Sequence, residues 1–292
     1  MPVFMIDVLP EDAPAASIES SVHRVDGQTP TLDVRDLGAA RGDGVFETLG
    51  VVGGRPQALD AHLARLANSA SLLDLPVPND AQWRHAITVA AASLPADRQG
   101  GLKVVLTRGA EGGSRPTGWI VATPADGDFA ERETGISVVT LDRGYSSDVA
   151  QRAPWLLAGA KTLSYAVNMA ALREARRRGA DDVIFLTSDG FVMEAPTSTV
   201  ILRLGDRIVT PRTDIGILPG TSQLSVFEFA ADQGLRTEEA LVPASDLTRA
   251  DALWLVSSVR LAVPVTSVDG ADVPVDLELT RAMNAALLAR RN

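Results

Sequence analysis

The sequence predicts an α/β (α+β) fold in two domains, a smaller N-terminal α/β domain and a larger C-terminal barrel-like one. Three observations carry this expectation. In the first half, short apolar runs alternate with stretches of helical period. Around residues 126–135 the chain turns polar and turn-rich between apolar neighbours, as a linker does. In the second half, strand-like runs are joined by tight turns, the pattern of a meandering sheet or barrel with helices packed outside. The expected organisation is therefore an N-terminal domain over 1–125, a linker over 126–135 and a C-terminal domain over 136–292, and 292 residues of which 46% are hydrophobic can bury cores of that size.

The first residues read as a loosely ordered start. Val45 to Val52 is a strand, turned by Gly53-Gly54. Asp60 can cap the next helix, where Leu63, Leu66, Ala70 and Leu73 recur at helical spacing until Pro76. A second helix covers Ala81 to Leu94, and strands follow at Leu102 to Thr107 and Trp119 to Thr123 around the glycine-rich loop Gly109 to Gly118. Beyond the linker, Ile136 to Leu141 is a strand. Ser164 to Arg178 is a helix with arginines in its last turn and Gly179 as its stop. Asp182 to Thr187 and Phe191 to Met193 flank the turn Ser188-Asp189-Gly190, and Thr199 to Leu204 with Arg207 to Thr210 flank Gly205-Asp206. Leu224, Phe227, Ala230 and Ala231 mark a helix opening at Gly220, and Ala252 to Val256 is a strand ending at Ser257-Ser258.

Composition narrows the function. A formal net charge of −10 argues against a general nucleic-acid binder, which needs clustered Lys and Arg to neutralise phosphates. The absence of cysteine removes disulfides and thiolate metal sites, and 3 scattered histidines without paired spacing make a metal centre an unfavourable reading. No apolar run is long enough to span a bilayer, and Met1 to Ser20 carries Asp7, Glu11, Asp12 and Glu19 in place of a basic leader. The expectation is a cytoplasmic protein whose partners are small molecules or a second copy of itself.

Lys161 stands between Gly159-Ala160 and Thr162-Leu163-Ser164-Tyr165, and Glu194 lies in Phe191-Val192-Met193-Glu194-Ala195-Pro196. A lysine amine forms a Schiff base with an aldehyde cofactor, and a carboxylate can hold the protonated nitrogen of a pyridinium ring. Together they suggest pyridoxal phosphate chemistry; singly, each also suits a surface residue. Gly220-Thr221-Ser222 opens a helix, where backbone N–H groups and hydroxyls meet an anion or simply cap the helix.

Read in order, Lys161, Glu194 and Gly216-Ile217-Leu218-Pro219-Gly220-Thr221-Ser222 resemble the class IV aminotransferases. These fold type IV pyridoxal phosphate enzymes include branched-chain aminotransferases, D-amino acid aminotransferases and aminodeoxychorismate lyases. The resemblance runs from about Asp33 to about Val268. It implies a two-domain fold with a C-terminal pseudo-barrel, pyridoxal 5′-phosphate as cofactor, and a homodimer. Lys161 is then the Schiff-base lysine and acid/base, and Glu194 the partner of the ring nitrogen. Arg65, Thr221, Ser222 and Ser258 are the phosphate contacts, and His62 is a structural neighbour of Arg65. Branched-chain aminotransferases carry a cofactor-contacting tyrosine where this chain has Ala166, one place after Tyr165.

Arg41-Gly42-Asp43-Gly44-Val45-Phe46-Glu47-Thr48 resembles the lyase version of the pattern, with threonine after the Phe-Glu pair where aminotransferases of the branched-chain type tend to have glycine. A β-branched residue in a strand also needs no function. Lys161 to Ala166 followed by Asn168-Met169 resembles bacterial lyases too. The implied reaction is cleavage of 4-amino-4-deoxychorismate to 4-aminobenzoate and pyruvate for folate synthesis, with Lys161 and Thr48 catalytic. Two substrate carboxylates call for arginines, and Arg108 and Arg115 are the candidates, although either also suits a solvated loop. The alternative is transamination of a D-amino acid or branched-chain amino acid by the same Lys161 and Glu194, alone or as a second activity. A noncatalytic metabolite binder is the third reading.

Overall fold

A computed structural model of the chain describes residues 1–28 and 32–290. It divides into two compact units, one of Met1–Asp126 with Ala160–Tyr165, the other of Gly127–Gly159 with Ala166–Arg290. The short segment that carries Lys161 therefore clusters with the first unit.

That unit runs β1 (Val3–Ile6), β2 (Val22–Val25), α1 (Leu37–Arg41), β3 (Gly44–Val52), β4 (Arg55–Pro56), α2 (Leu59–Leu72), α3 (Asp80–Ala92), β5 (Gly100–Thr107) and β6 (Thr117–Pro124). Its strands make one antiparallel sheet in the order β2-β1-β6-β5-β3-β4. The start of the chain is thus ordered, against expectation: β1 pairs with β6, Met5 opposite Trp119, and buries Phe4 and Ile6. Four residues between polar neighbours give too short an alternation to read. Much of their anchoring comes from α3, whose Gln82 donates to the Asp7 carbonyl at 2.7 Å and to Ser21 Oγ at 2.8 Å, while Asn79 donates to the carbonyls of Pro10 and Glu11. Helix α2 also begins earlier than Asp60 suggests. Ala58, at φ 50°, precedes it, and Asp60 lies in its first turn, where a carboxylate suits the helix dipole and pairs with Arg84.

The second unit contains α4 (Glu131–Thr134), β7 (Ile136–Asp142), α5 (Val149–Arg152), α6 (Ala166–Arg177), β8 (Asp182–Leu186), β9 (Thr199–Leu204), β10 (Arg207–Pro211), α7 (Thr221–Asp232), β11 (Arg236–Ala240), β12 (Ala252–Ser257), β13 (Leu261–Val268), β14 (Ala271–Asp272) and α8 (Leu277–Ala289). Its sheet runs β11-β10-β9-β12-β13-β7-β8, with β14 paired to β13. Alternate residues of the strands feed separate cores. Val138, Ile184, Leu202, Val209, Leu255 and Val263 bury together on one face, as in a curled sheet, while Ile201, Trp254 and Val256 pack against Val226 of α7 and Met283 of α8. This mixed two-sheet architecture is the α/β class the sequence predicts. Two boundaries differ. Helix α6 starts at Ala166, because Tyr165 N donates to the Leu163 carbonyl and Leu163 N to that of Gly44. Phe191 to Met193 makes isolated bridges to Leu186 and Pro243 where a strand was expected.

Candidate active site

In the first unit, Lys161 belongs to a short extended segment laid along the edge of β3. Thr162 bridges Val45, Phe46 N donates to the Lys161 carbonyl at 3.0 Å, and Leu163 N donates to the Gly44 carbonyl at 2.8 Å. Glycine is required at residue 44, since a Cβ there would lie 2.8 Å from both the Leu106 carbonyl oxygen and Leu163 Cδ1. Antiparallel neighbours project to the same face, so Lys161 follows Phe46. Its Nζ lies 4.6 Å from the centroid of the Phe46 ring and 5.8 Å from that of Tyr165, and the two rings meet edge to face at 5.2 Å.

Thr48, two residues along β3, shares that face. Opposite it on β5 is Lys103, whose Nζ lies 5.2 Å from the same Phe46 ring. Lys103 and Lys161 are the only lysines in the chain. Sequence reasoning assigned Lys103 no role, although their scarcity was visible; the pairing of β3 with β5 was needed to bring both to one ring.

The other face of β3 carries Glu47, buried against α2. Its carboxylate accepts from Arg65 Nε at 2.8 Å, Arg65 Nη2 at 2.7 Å and His62 Nδ1 at 2.7 Å. Burial pushes the Glu47 carboxyl up, but the Arg65 charge, its hydrogen bonds and those of His62 outweigh it and hold the group at about 2. His62 is thereby structural, as the sequence suggested, and Arg65 has its guanidinium plane fixed by a fork-to-fork pair.

Arg108 is engaged inside the unit. It donates from Nε and Nη2 to Asp43 at 2.6 and 3.1 Å, and to the carbonyls of Leu73 and Asp74 at the end of α2 at 2.6 and 3.2 Å. A substrate carboxylate would have to displace Asp43. Arg115 is exposed on the glycine-rich loop.

In the second unit, Glu194 is tied to β8, its carbonyl accepting from Phe185 N at 2.9 Å. Its Oε2 accepts from Leu218 N at 3.1 Å, which fixes the carboxylate to the loop leading into α7. That loop ends at Gly220, the residue before α7, which has no side-chain cap. A Cβ on Gly220 would lie 2.3 Å from Thr199 Oγ1, so only glycine fits. The first turn thus offers backbone donors and the hydroxyls of Thr221 and Ser222 to an anion. Thr221 Oγ1 lies 3.4 Å from Ser258 Oγ. The turn after Ser258 is held by Arg132, which donates to the carbonyls of Val259 and Arg260 at 2.9 Å each. Behind Ser222, Arg290 approaches its Oγ at 3.4 Å, and burial pulls that guanidinium down to about 10. Neither Arg132 nor Arg290 carried a recognisable signal in the sequence.

Among the described residues no cluster of His, Asp and Glu could hold a metal, and no helix is long and apolar enough to cross a membrane.

Known proteins resemble this chain over most of its length. The profile of the family described as amino-transferase class IV matches residues 44–268. The chain is 45% identical over 255 residues to the bifunctional aminodeoxychorismate lyase / D-amino acid transaminase of Mycobacterium tuberculosis, covering 84% of this chain and 88% of that protein. A fold IV transaminase from Curtobacterium pusillum superimposes with a TM-score of 0.93 at 49% identity, covering 99% of this chain and 97% of that one. The PLP-bound form of a hypothetical aminotransferase from Mycobacterium tuberculosis gives 0.88 at 42% identity, covering 92% and 97%.

Proposed function

The chain belongs to the class IV aminotransferases, and from that membership we propose that this pyridoxal 5′-phosphate enzyme cleaves 4-amino-4-deoxychorismate to 4-aminobenzoate and pyruvate. The observation that carries the lyase reading is that Thr48 shares a strand face with Phe46, over whose ring the Lys161 amine lies. Transamination of D-amino acids is the second reading, favoured by the 45% identical relative that bears both activities in its name.

Each of the two units carries donors of the kinds the cofactor needs. Lys161 offers an amine for the aldehyde, Glu194 a carboxylate for the ring nitrogen, and Arg65, Thr221, Ser222 and Ser258 offer donors to a phosphate. When bound, pyridoxal phosphate supplies an electron sink for charge developing at the substrate's amine-bearing carbon. Lys161 Nζ takes the proton from that carbon in either reaction. In the lyase reaction the enolpyruvyl group then leaves, the role assigned to the Thr48 hydroxyl being to hydrogen-bond it, and protonation of the fragment yields pyruvate as the ring aromatises. In transamination the Lys161 amine returns the proton to a different atom. Lys103 and Arg115 are the cations we assign to substrate carboxylates, with Arg108 acting on them only if Asp43 yields. A homodimer accords with the family.

Supplying aminodeoxychorismate without an oxo acid tests the reading. Equal yields of pyruvate and 4-aminobenzoate, lost in Lys161→Ala, are expected. If neither product forms while D-alanine and 2-oxoglutarate yield pyruvate, the lyase assignment fails and the transaminase reading takes its place.

A further inference from the structure

Consecutive residues of β3 serve opposite faces, and Glu47 lies behind the two residues that flank it. Its carboxylate is 1% exposed and takes three charge-assisted hydrogen bonds, two of them from Arg65. Taking charges this far from water is costly, and packed apolar side chains of similar volume are often as stable or more so. What the pair supplies is geometry. A carboxylate that accepts from Nε and Nη2 together fixes the plane and rotation of the guanidinium. It also makes the pair formally neutral, so Glu47 subtracts positive charge from the surroundings of Arg65. An attractor working by charge alone would bind a phosphate better without it, whereas a donor working by orientation would bind worse.

We propose that Glu47 is a positioning residue for phosphate recognition, holding the Arg65 guanidinium in the orientation in which it meets the cofactor phosphate. This rests on the reading of Arg65 as a phosphate contact. His62, donating to the same carboxylate from one helical turn before Arg65, keeps the fork from rotating.

The test uses the full chain stripped of cofactor and titrated separately with pyridoxal phosphate and with pyridoxal, which lacks the phosphate. Absorbance reports both. Glu47→Gln is expected to weaken pyridoxal phosphate roughly tenfold or more, the loss of one charge-assisted hydrogen bond, and to change pyridoxal by less than about twofold. A merely structural role would weaken both ligands in parallel, and that result overturns the proposal, as does pyridoxal phosphate binding that stays equal or tightens. Arg65→Met separates the two levels of the argument. If it leaves the preference for the phosphorylated ligand unchanged, Arg65 is not a phosphate contact and the proposal falls with it. If it removes the preference while Glu47→Gln does not, Arg65 keeps its role and Glu47 alone loses its own. Should Glu47→Gln fail to fold, Glu47→Asp, which keeps the charge but withdraws the fork by one methylene, carries the same expectations.

Discussion

Replacing Arg108 with methionine separates a substrate-binding arginine from one that holds the fold. The guanidinium donates to Asp43 and to the carbonyls of Leu73 and Asp74, groups at the end of α2 that have no partner within the helix. The side chains of the Arg108–Asp43 pair are 38% and 32% exposed, so solvent screening limits it to about 1 kcal/mol or less. The carbonyl hydrogen bonds add about 1 kcal/mol in all after the same discount. A loss of roughly 2 kcal/mol corresponds to a melting midpoint lower by about 3 °C for a protein of this size. Had Arg108 bound a substrate carboxylate, losing that contact would raise KM on the order of thirtyfold or more. The expectation for Arg108→Met is therefore a lowered midpoint in a circular dichroism melt, with KM for aminodeoxychorismate within about threefold of the wild type. An unchanged midpoint with a KM raised roughly thirtyfold would refute the reasoning and return Arg108 to the substrate.

Three further outcomes follow from the same geometry. Thr48→Val, which keeps the β-branched shape and removes the hydroxyl, is expected to slow aminodeoxychorismate cleavage roughly tenfold while D-alanine transamination changes less than about threefold; a parallel loss in both assays would count against a lyase-specific hydroxyl. Lys103→Met should raise KM for the dicarboxylate substrate roughly tenfold with kcat near the wild-type value, and steady-state kinetics showing no change in KM would remove Lys103 from the substrate site. The Glu47 carboxyl, at about 2 in the folded chain against an ordinary 4.5, contributes stability that is fully present above pH 4.5 and lost as pH falls toward 2. That depression is worth on the order of 3 kcal/mol, so urea unfolding should find the gap between wild type and Glu47→Gln narrowing between pH 6 and pH 3, and a constant gap would contradict it.

Chemistry was more legible in the sequence than geometry. Lys161 and Glu194 could be singled out as candidates because pyridoxal phosphate chemistry would demand those residue types, and Gly220 to Ser222 because a helix start is written in consecutive residues. The glycines flanking Asp43 were visible as a motif, but the reason for Gly44 is the passage of Leu163 beside it, a contact between residues far apart in the chain. Glu47 and Lys103 were hidden for a similar cause. Their roles depend on which face of β3 a residue occupies and on the register that sets Thr48 opposite Lys103. Arg108 was legible as a candidate cation, yet its partners lie just after α2 and in the loop after α1, which composition does not reveal. The strands β1 and β2 were missed because four residues give too short an alternation to read and their support comes from Asn79 and Gln82, amides far away in the chain.

The sparing use of lysine also gives the molecule a simple chemical address system. A lysine-specific protease can cut this chain only after Lys103 and after Lys161, and both cuts report on the same face of one sheet. Borohydride reduction of the cofactor-loaded protein, followed by unfolding and digestion, would leave the cut after Lys103 intact and block the one after Lys161. The pattern of fragment masses alone would then name the amine that carries the cofactor, without any residue being replaced.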